Sequence, residues 1–543
     1  MVNTAAYLDL KSMPLMILGN DDEKFIWPTP YNEYLSISKK ITENLVELIY
    51  KKIPKNELRL GAISVLSVIN IDLLRIAKIA LDGHYAKLTN TELNIDVMSS
   101  PVSFYIFEND VRKEGAPTKI DDFFPYTKKS LSLKKKFYDL ARWSKSGLDL
   151  RLKKRKGRYD FQNESYLLTE FMLTMGSDWL NIRPELWRWE KVNKSSEDIE
   201  LLIIVIIEDF LKVLMEYNIT PRVINRAKTV ARIFLSERLR KAWNNATYIS
   251  ELNLDGIAGD ILIGGTPQEI GRLLNWKYQD MGRKVWRFAH GGDRAFFDDV
   301  HWGLSEFPYC EEYYVHGLGE RDAVDSRLKR CGTYCLAESK PEIVALGSKK
   351  HQFIWEKSQI KISENKKNKS KNKKLVLVAG SFLGEKHMGT FDFKTPDPIT
   401  ADTQAWIVRT LTEMGYDISI KTHPGGVDHK LKVQSYWGVP SIEGYYNNDY
   451  LKADVFIFDF AGSAFFDALA SEKGIVLLDL KNRPFAKETF NDLKQRCEIV
   501  SASMDQLNRI RFNREELKEA VENSIRYNGC PEWFAQKYFW GDL

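Results

Sequence analysis

The chain is 543 residues long, 44% apolar and 28% charged, with a formal net charge of +5. That composition excludes a disordered or fibrous chain, and the length allows two or three domains with sizeable buried cores. The five cysteines, Cys310, Cys331, Cys335, Cys497 and Cys530, are odd in number and scattered. They suggest neither a disulfide framework nor a zinc site, and they fit a reducing cytoplasm.

Residues 1–10 lack a basic n-region and a long apolar h-region, so no signal peptide is expected. The most apolar run, 201–207, is followed at once by Glu208 and Asp209, and 60–81 is interrupted by Asp72, Arg75 and Lys78. Neither suits a bilayer span, which predicts a soluble or peripheral protein. Helical spacing is present over 43–52, 71–81 and 201–217, while 15–18 and 102–107 read as short strands. Between residues 128 and 158 there are 13 Lys or Arg against Asp139 and Asp149, with Phe137, Tyr138 and Trp143 interleaved. Such a run is a solvated basic face, a nucleic-acid contact or a patch for an anionic membrane leaflet. Taken alone it stays closest to the first. Trp179, Trp187 and Trp189 read as packing residues in preference to a sugar platform.

Order returns at Asp255. A strand over 260–263 ends in Gly264-Gly265, and Thr266-Pro267-Gln268-Glu269 is a good helix start. That helix runs to about residue 281, Gly282 stops it, and a strand over 285–289 delivers His290-Gly291-Gly292-Asp293. A further strand, 312–315, ends in His316-Gly317-Leu318-Gly319. The alternation predicts a Rossmann-like parallel sheet. Residues 361–374 are Lys-, Asn- and Ser-rich and read as a flexible linker about which two halves close on a ligand. A second set of strands follows. The one over 375–378 ends in Ala379-Gly380-Ser381, and 418–421 delivers Thr422-His423-Pro424-Gly425-Gly426. Then 455–458 leads through Gly462-Ser463 into a helix over 464–471, and Gly474 releases 475–478. A Gly-Ser turn at a strand end lets a phosphate approach the backbone while the hydroxyl adds a donor. The plainer alternative is that Pro424 ends a strand and that Asp459 or Ser463 caps a helix.

The His-Pro pair after a strand and the Ala453-Asp454 to Asp479 segment with its Ser463 resemble the nucleotide-binding half of GT-B glycosyltransferases. Within that group they resemble the cytidine-nucleotide-dependent enzymes of bacterial surface polysaccharide synthesis, of sialic acid, Kdo and CDP-glycerol type. The likeness covers 373–525 well, 255–325 loosely and the first 250 residues hardly at all. It implies an α/β fold of two Rossmann-like domains facing a cleft. The implied layout is an acceptor-side domain over 1–355, a linker over 356–374, a donor-binding domain over 375–525, and a tail over 526–543 crossing back to the first domain. It implies transfer of a sugar from a CMP-activated, sialic acid- or Kdo-like donor to a surface-glycan or lipid-linked acceptor. Capsule or lipopolysaccharide synthesis at the inner face of the membrane is the setting. Donor contacts fall on His423, Pro424, Gly462 and Ser463, with Gly380 and Ser381 at the first strand end. The family's serine pair is here Gly462-Ser463, leaving one hydroxyl. His290, assisted by Asp293, is the candidate general base, against the plainer reading of a strand-end cap and turn. His301 and His316 are weaker candidates. No cofactor, metal or nucleic-acid partner is expected: Asp298-Asp299 and Asp392-Phe393-Lys394 do not form the DxD pair of metal-dependent transferases. A CDP-polyol phosphotransferase of the teichoic acid type and a non-catalytic nucleotide-sugar or nucleic-acid binding protein remain as alternatives.

Overall fold

The computed structural model describes residues 5–21, 25–53, 57–96, 99–107, 119, 123, 156–160, 166–175, 179–181, 197–252, 260–264, 269–298, 306–307, 310–330, 340–365, 373–382, 384–385, 395–423, 433–443, 446, 453–527 and 529–541. Three sheets are formed among them. A two-stranded parallel ribbon joins β1 (Ala5–Tyr7) to β2 (Glu92–Asn94). The second sheet holds β3 (Lys156–Asp160), β4 (Trp179–Asn181), β5 (Ile261–Gly264), β6 (Val285–Phe288), β7 (Glu312–Val315) and β8 (Glu342–Ala345). All are parallel, in the order β4-β3-β5-β6-β7-β8. The third holds β9 (Lys374–Val378), β10 (Asp417–Lys421), β11 (Ser441–Ile442), β12 (Val455–Phe458), β13 (Gly474–Asp479), β14 (Glu498–Met504) and β15 (Ile510–Phe512). Its order is β11-β10-β9-β12-β13-β14-β15, parallel except for β15. The molecule is thus an α/β protein with two Rossmann-like sheets.

Continuous apolar strands such as β5 and β12 are buried along their whole length, as parallel strands covered on both faces must be. Side chains alternate between the faces. Leu375, Leu377, Val455, Ile457, Val476 and Leu478 share a core with the helices Tyr31–Glu47, Leu66–Leu88, Glu197–Glu216 and Pro221–Glu251. Val376, Phe456, Phe458, Ile475 and Leu477 share the other core with the second sheet. The run 201–207 belongs to the Glu197–Glu216 helix, which buries Leu202, Ile203, Ile206, Ile207 and Phe210 at helical spacing. No described helix is long and apolar enough to cross a membrane.

Several expectations change. Residues 102–107 form the Pro101–Phe107 helix, not a strand, because Pro101 occupies the first turn, where its missing N–H costs nothing. Residues 15–17 make a single 3₁₀ turn behind Pro14, whose φ of −66° starts the turn. The expected linker is helical over its first part: the helix Lys349–Asn365 runs through it because His351, Ile354, Trp355 and Ser358 form one covered stripe. Trp355 Nε1 donates to the Cys530 carbonyl at 3.1 Å and its ring meets Trp540 edge-on at 5.5 Å. Residues 366–372, residues 128–155 of the basic segment, and Trp187 and Trp189 lie outside the described residues.

The start of the chain sits on the far half. Trp27 N–H donates to the Leu507 carbonyl at 3.0 Å, and Gly19 N–H donates to Asp402 Oδ1 at 2.7 Å. Gly19 has φ +69°, and a Cβ there would lie 2.5 Å from the Trp406 nitrogen. The two halves also meet directly. Ala486 N–H donates to the Phe296 carbonyl and Asp298 N–H to the Pro484 carbonyl, both at 2.8 Å. The Glu532–Phe539 helix of the tail lays Tyr538 against Phe296 of the second-sheet half, with ring centroids 4.9 Å apart. These contacts bypass the linker and oppose the hinge closure expected of it. A Cβ on Gly317 would stand 2.4 Å from the Tyr538 carbonyl carbon. Gly317→Val is therefore expected to cost about 1–3 kcal/mol through overpacking against backbone. A denaturant midpoint equal to wild type would show that the tail helix yields instead.

Candidate active site

Four strand ends and one helix start converge on a cavity of about 220 Å³. β6 delivers His290, β7 delivers His316, β10 delivers His423, and β12 leads into Ser463. The helix that follows β8 brings Lys350 and His351. All six follow the carboxyl ends of parallel strands, where open α/β sheets bind their ligands. Four of the chain's eight histidines line this one space.

The approach of the halves depends on the His-Gly-Gly turn. A Cβ on Gly291 would sit 2.8 Å from Ser463 Oγ, and one on Gly292 would run into the Phe466 ring at 2.2 Å. Ser463 is exposed to the cavity and opens the helix Ser463–Leu469, with Gly462 as its extended N-cap. His423 is exposed as well.

One wall carries a buried ionic cluster. Lys350 Nζ donates to both oxygens of Asp467, at 2.8 and 2.7 Å, and lies 4.1 Å from the Tyr166 ring centroid. His351 Nε2 is 2.9 Å from Asp467 Oδ1 and its Nδ1 is 2.8 Å from Ser348 Oγ. Burial pushes His351 down to about 4 against the pull of the Asp467 hydrogen bond and charge, so the ring is neutral. Burial alone would raise the Asp467 carboxyl, but the His351 hydrogen bond and the Lys350 ammonium outweigh it and hold it below the usual range. Beside this cluster, Glu320 Oε2 accepts from the His316 backbone N–H at 2.8 Å and meets His316 Nδ1 at 2.9 Å.

Asp293 departs from its expected place. Its carboxylate does not reach His290; Oδ1 accepts from Arg294 Nη1 at 3.2 Å and Oδ2 from Arg483 Nη2 at 3.1 Å. Two buried guanidiniums hold the one carboxylate through charge-assisted hydrogen bonds. Arg294 is itself paired with Glu306, where burial is overcome by the guanidinium and the carboxyl falls to about 2. His290 Nδ1 is buried without a hydrogen-bond partner among the described residues. Gly380 and Ser381 do not line the cavity, and the Gly380 amide is taken by Asp459 Oδ1 at 2.6 Å. Asp298 lies in the contact between the halves, while Pro424, Asp299 and His301 lie outside the described residues. No group of three or more metal-ligating side chains is assembled among the described residues.

Lys350, His351, Asp467 and Glu320 were not picked out from the sequence. A usable signal existed for the first two: Gly347-Ser348 after an apolar strand repeats the pattern of Gly462-Ser463.

No family model and no curated protein matches the chain. Among the solved structures that align with it loosely are MurG and TcCGT1. Acinetobacter baumannii MurG does so at 9% identity with a TM-score of 0.31, covering 69% of this chain and 96% of MurG. TcCGT1 in complex with UDP does so at 9% identity with a TM-score of 0.34, covering 68% and 90%. Scores this low do not bear on chemistry. The site's own geometry does.

Proposed function

We propose that this protein is a GT-B-type glycosyltransferase that places the phosphate and reacting centre of a nucleotide-activated sugar in the shared cavity. The observation that carries this reading is the convergence of His423, Ser463 and Lys350 between the carboxyl ends of two parallel sheets. Ser463 supplies a hydroxyl donor, Lys350 a cation, and His423 a ring donor: three groups suited to phosphate oxygens. A cavity of about 220 Å³ is below the roughly 300–1,000 Å³ of whole-ligand pockets, so the nucleoside would extend beyond it. An arriving phosphate competes with Asp467 for Lys350, which couples donor binding to the contact between the halves.

In this reading the donor is a CMP-activated, sialic acid- or Kdo-like sugar and the acceptor a surface glycan or lipid-linked saccharide. The motif around His423 and Ser463 supports the cytidine assignment. The charge of segment 128–158 supports attachment to an anionic leaflet from the cytoplasmic side. Side chains neutralise the leaving phosphate here, so EDTA should leave turnover unchanged.

A thermal-shift series with CMP, CDP, UDP and GDP tests the reading. A ligand at about 100 times its Kd stabilises the native state by about 2.7 kcal/mol. CMP should raise Tm, and His423→Ala should weaken that binding about tenfold or more while the variant stays folded. Unchanged CMP affinity in the variant counts against the phosphate site. Cleavage of CDP-glycerol in place of a CMP-sugar would reassign the protein to phosphoryl transfer. Salt-steep binding of RNA without either activity would replace catalysis with nucleic-acid binding.

A further inference from the structure

We propose that His316, oriented by Glu320, is the base that takes the proton from the acceptor hydroxyl; this rests on the glycosyl-transfer reading above. His316 ends β7, and Glu320 lies four residues on, in the first turn of the helix Leu318–Arg330. One oxygen, Oε2, meets both the backbone N–H and Nδ1 of His316, at 2.8 and 2.9 Å. His316 is 3% exposed and Glu320 fully buried. A carboxylate at Nδ1 holds the proton there and leaves Nε2 as the acceptor, the arrangement that makes imidazole an oriented base. Nε2 makes no hydrogen bond among the described residues, and the ring lines the cavity that contains Ser463, His423 and Lys350. Phe466 and His351 fix its plane, with ring centroids 4.9 and 5.5 Å away.

The other three histidines of the cavity are differently equipped. Both ring nitrogens of His351 are engaged, by Ser348 and Asp467. His423 stands at the end of β10, on the phosphate-binding side with Ser463. His290 has no carboxylate on its ring, since Asp293 faces Arg294 and Arg483. His316 combines an orienting carboxylate at Nδ1 with a second ring nitrogen at the cavity.

The step balances without a further reagent. The acceptor oxygen forms a bond to the anomeric carbon of the CMP-sugar as its proton passes to His316 Nε2. The bond from that carbon to the phosphate oxygen breaks, its electron pair stays on the phosphate, and CMP leaves facing Lys350, Ser463 and His423. The Glu320 carboxyl faces Nδ1 of the imidazolium that forms.

The test uses the full chain, with CMP as binding probe and a CMP-sialic acid as donor, water standing in for the acceptor. ¹⁵N spectra should show His316, assigned through its loss in His316→Gln, with Nδ1 protonated and Nε2 bare; Glu320→Gln should disturb that tautomer. Both variants should keep the CMP-induced Tm shift and the donor KM. Their kcat should fall by about 10² to 10⁴ for His316→Gln and at least about tenfold for Glu320→Gln. A protonated Nε2, or wild-type turnover in both variants, overturns the assignment. Absence of a CMP shift or of donor cleavage in the wild type overturns the donor reading and this proposal with it. A normal CMP shift with unaffected variants overturns the proposal alone.

Discussion

Replacing Asp467 with alanine is expected to cost the folded state about 3 kcal/mol or more, the largest loss from any single side chain at the site. Asp467 sits on the third-sheet half, while Lys350 and His351 come from the helix after β8 on the other. Removing the carboxylate strands an ammonium whose side chain is only 19% exposed and takes away the partner of a buried imidazole. The adjoining cavity lets some water reach Lys350, which places the expected cost at the lower end of the 3–5 kcal/mol range for broken buried pairs. Asp467→Asn preserves shape and one acceptor for His351, so it should cost less. Urea unfolding with an unchanged slope and a lowered midpoint would show the loss. A change below about 1 kcal/mol would mean that the pair is screened as surface pairs are.

The contribution of His351 should vanish in acid. Its folded value is near 4 because burial disfavours the charged ring, whereas the unfolded chain titrates near 6.5. Between those values the unfolded state binds more protons. His351 therefore contributes stability that is fully present above about pH 6.5 and is lost as pH falls towards 4, up to about 3 kcal/mol. Asp82 acts with the opposite sign. Burial raises its carboxyl to about 7 despite hydrogen bonds from Thr29 and Tyr34, so its contribution is present below about 3.8 and lost as pH rises through 7. The two slopes oppose each other across the same window, and the wild-type curve alone would hide both. The difference between wild type and His351→Gln isolates the first. It should grow by about 3 kcal/mol from pH 4.5 to pH 7.5 in denaturant melts. A pH-independent difference would show that the folded ring titrates where the unfolded one does, so that burial does not shift it.

Local patterns in the chain carried a good part of this. The strands read over 312–315 and 455–458 are β7 and β12 with the same bounds; at 455–458 a parallel strand buried on both faces writes itself as unbroken hydrophobicity. A His-Gly or His-Pro pair at the end of a strand, or a Gly-Ser turn shortly after one, marks a carboxyl strand end, and these pairs single out His290, His423 and Ser463. Residues 102–107 failed because an apolar hexamer has no period long enough to separate strand from helix, and Pro101 decided it. The partner of Asp293 was illegible. The nearest carboxylate-to-histidine spacing suggested His290, while the charge that binds it, Arg483, lies 190 residues away.

In the sequence by itself, side-chain periodicity and turn chemistry within a few residues mark β5, β6 and β7 of the second sheet, β9, β10, β12 and β13 of the third, and which of their ends bear polar groups. Only the tertiary structure decided which of those groups meet. Lys350 with Asp467, Glu320 on His316 in the same cavity as Ser463, and Gly19 against Trp406 of the far half are set by how two buried cores pack. The free energy of such a contact depends on burial and on competing charges that no local window of residues contains.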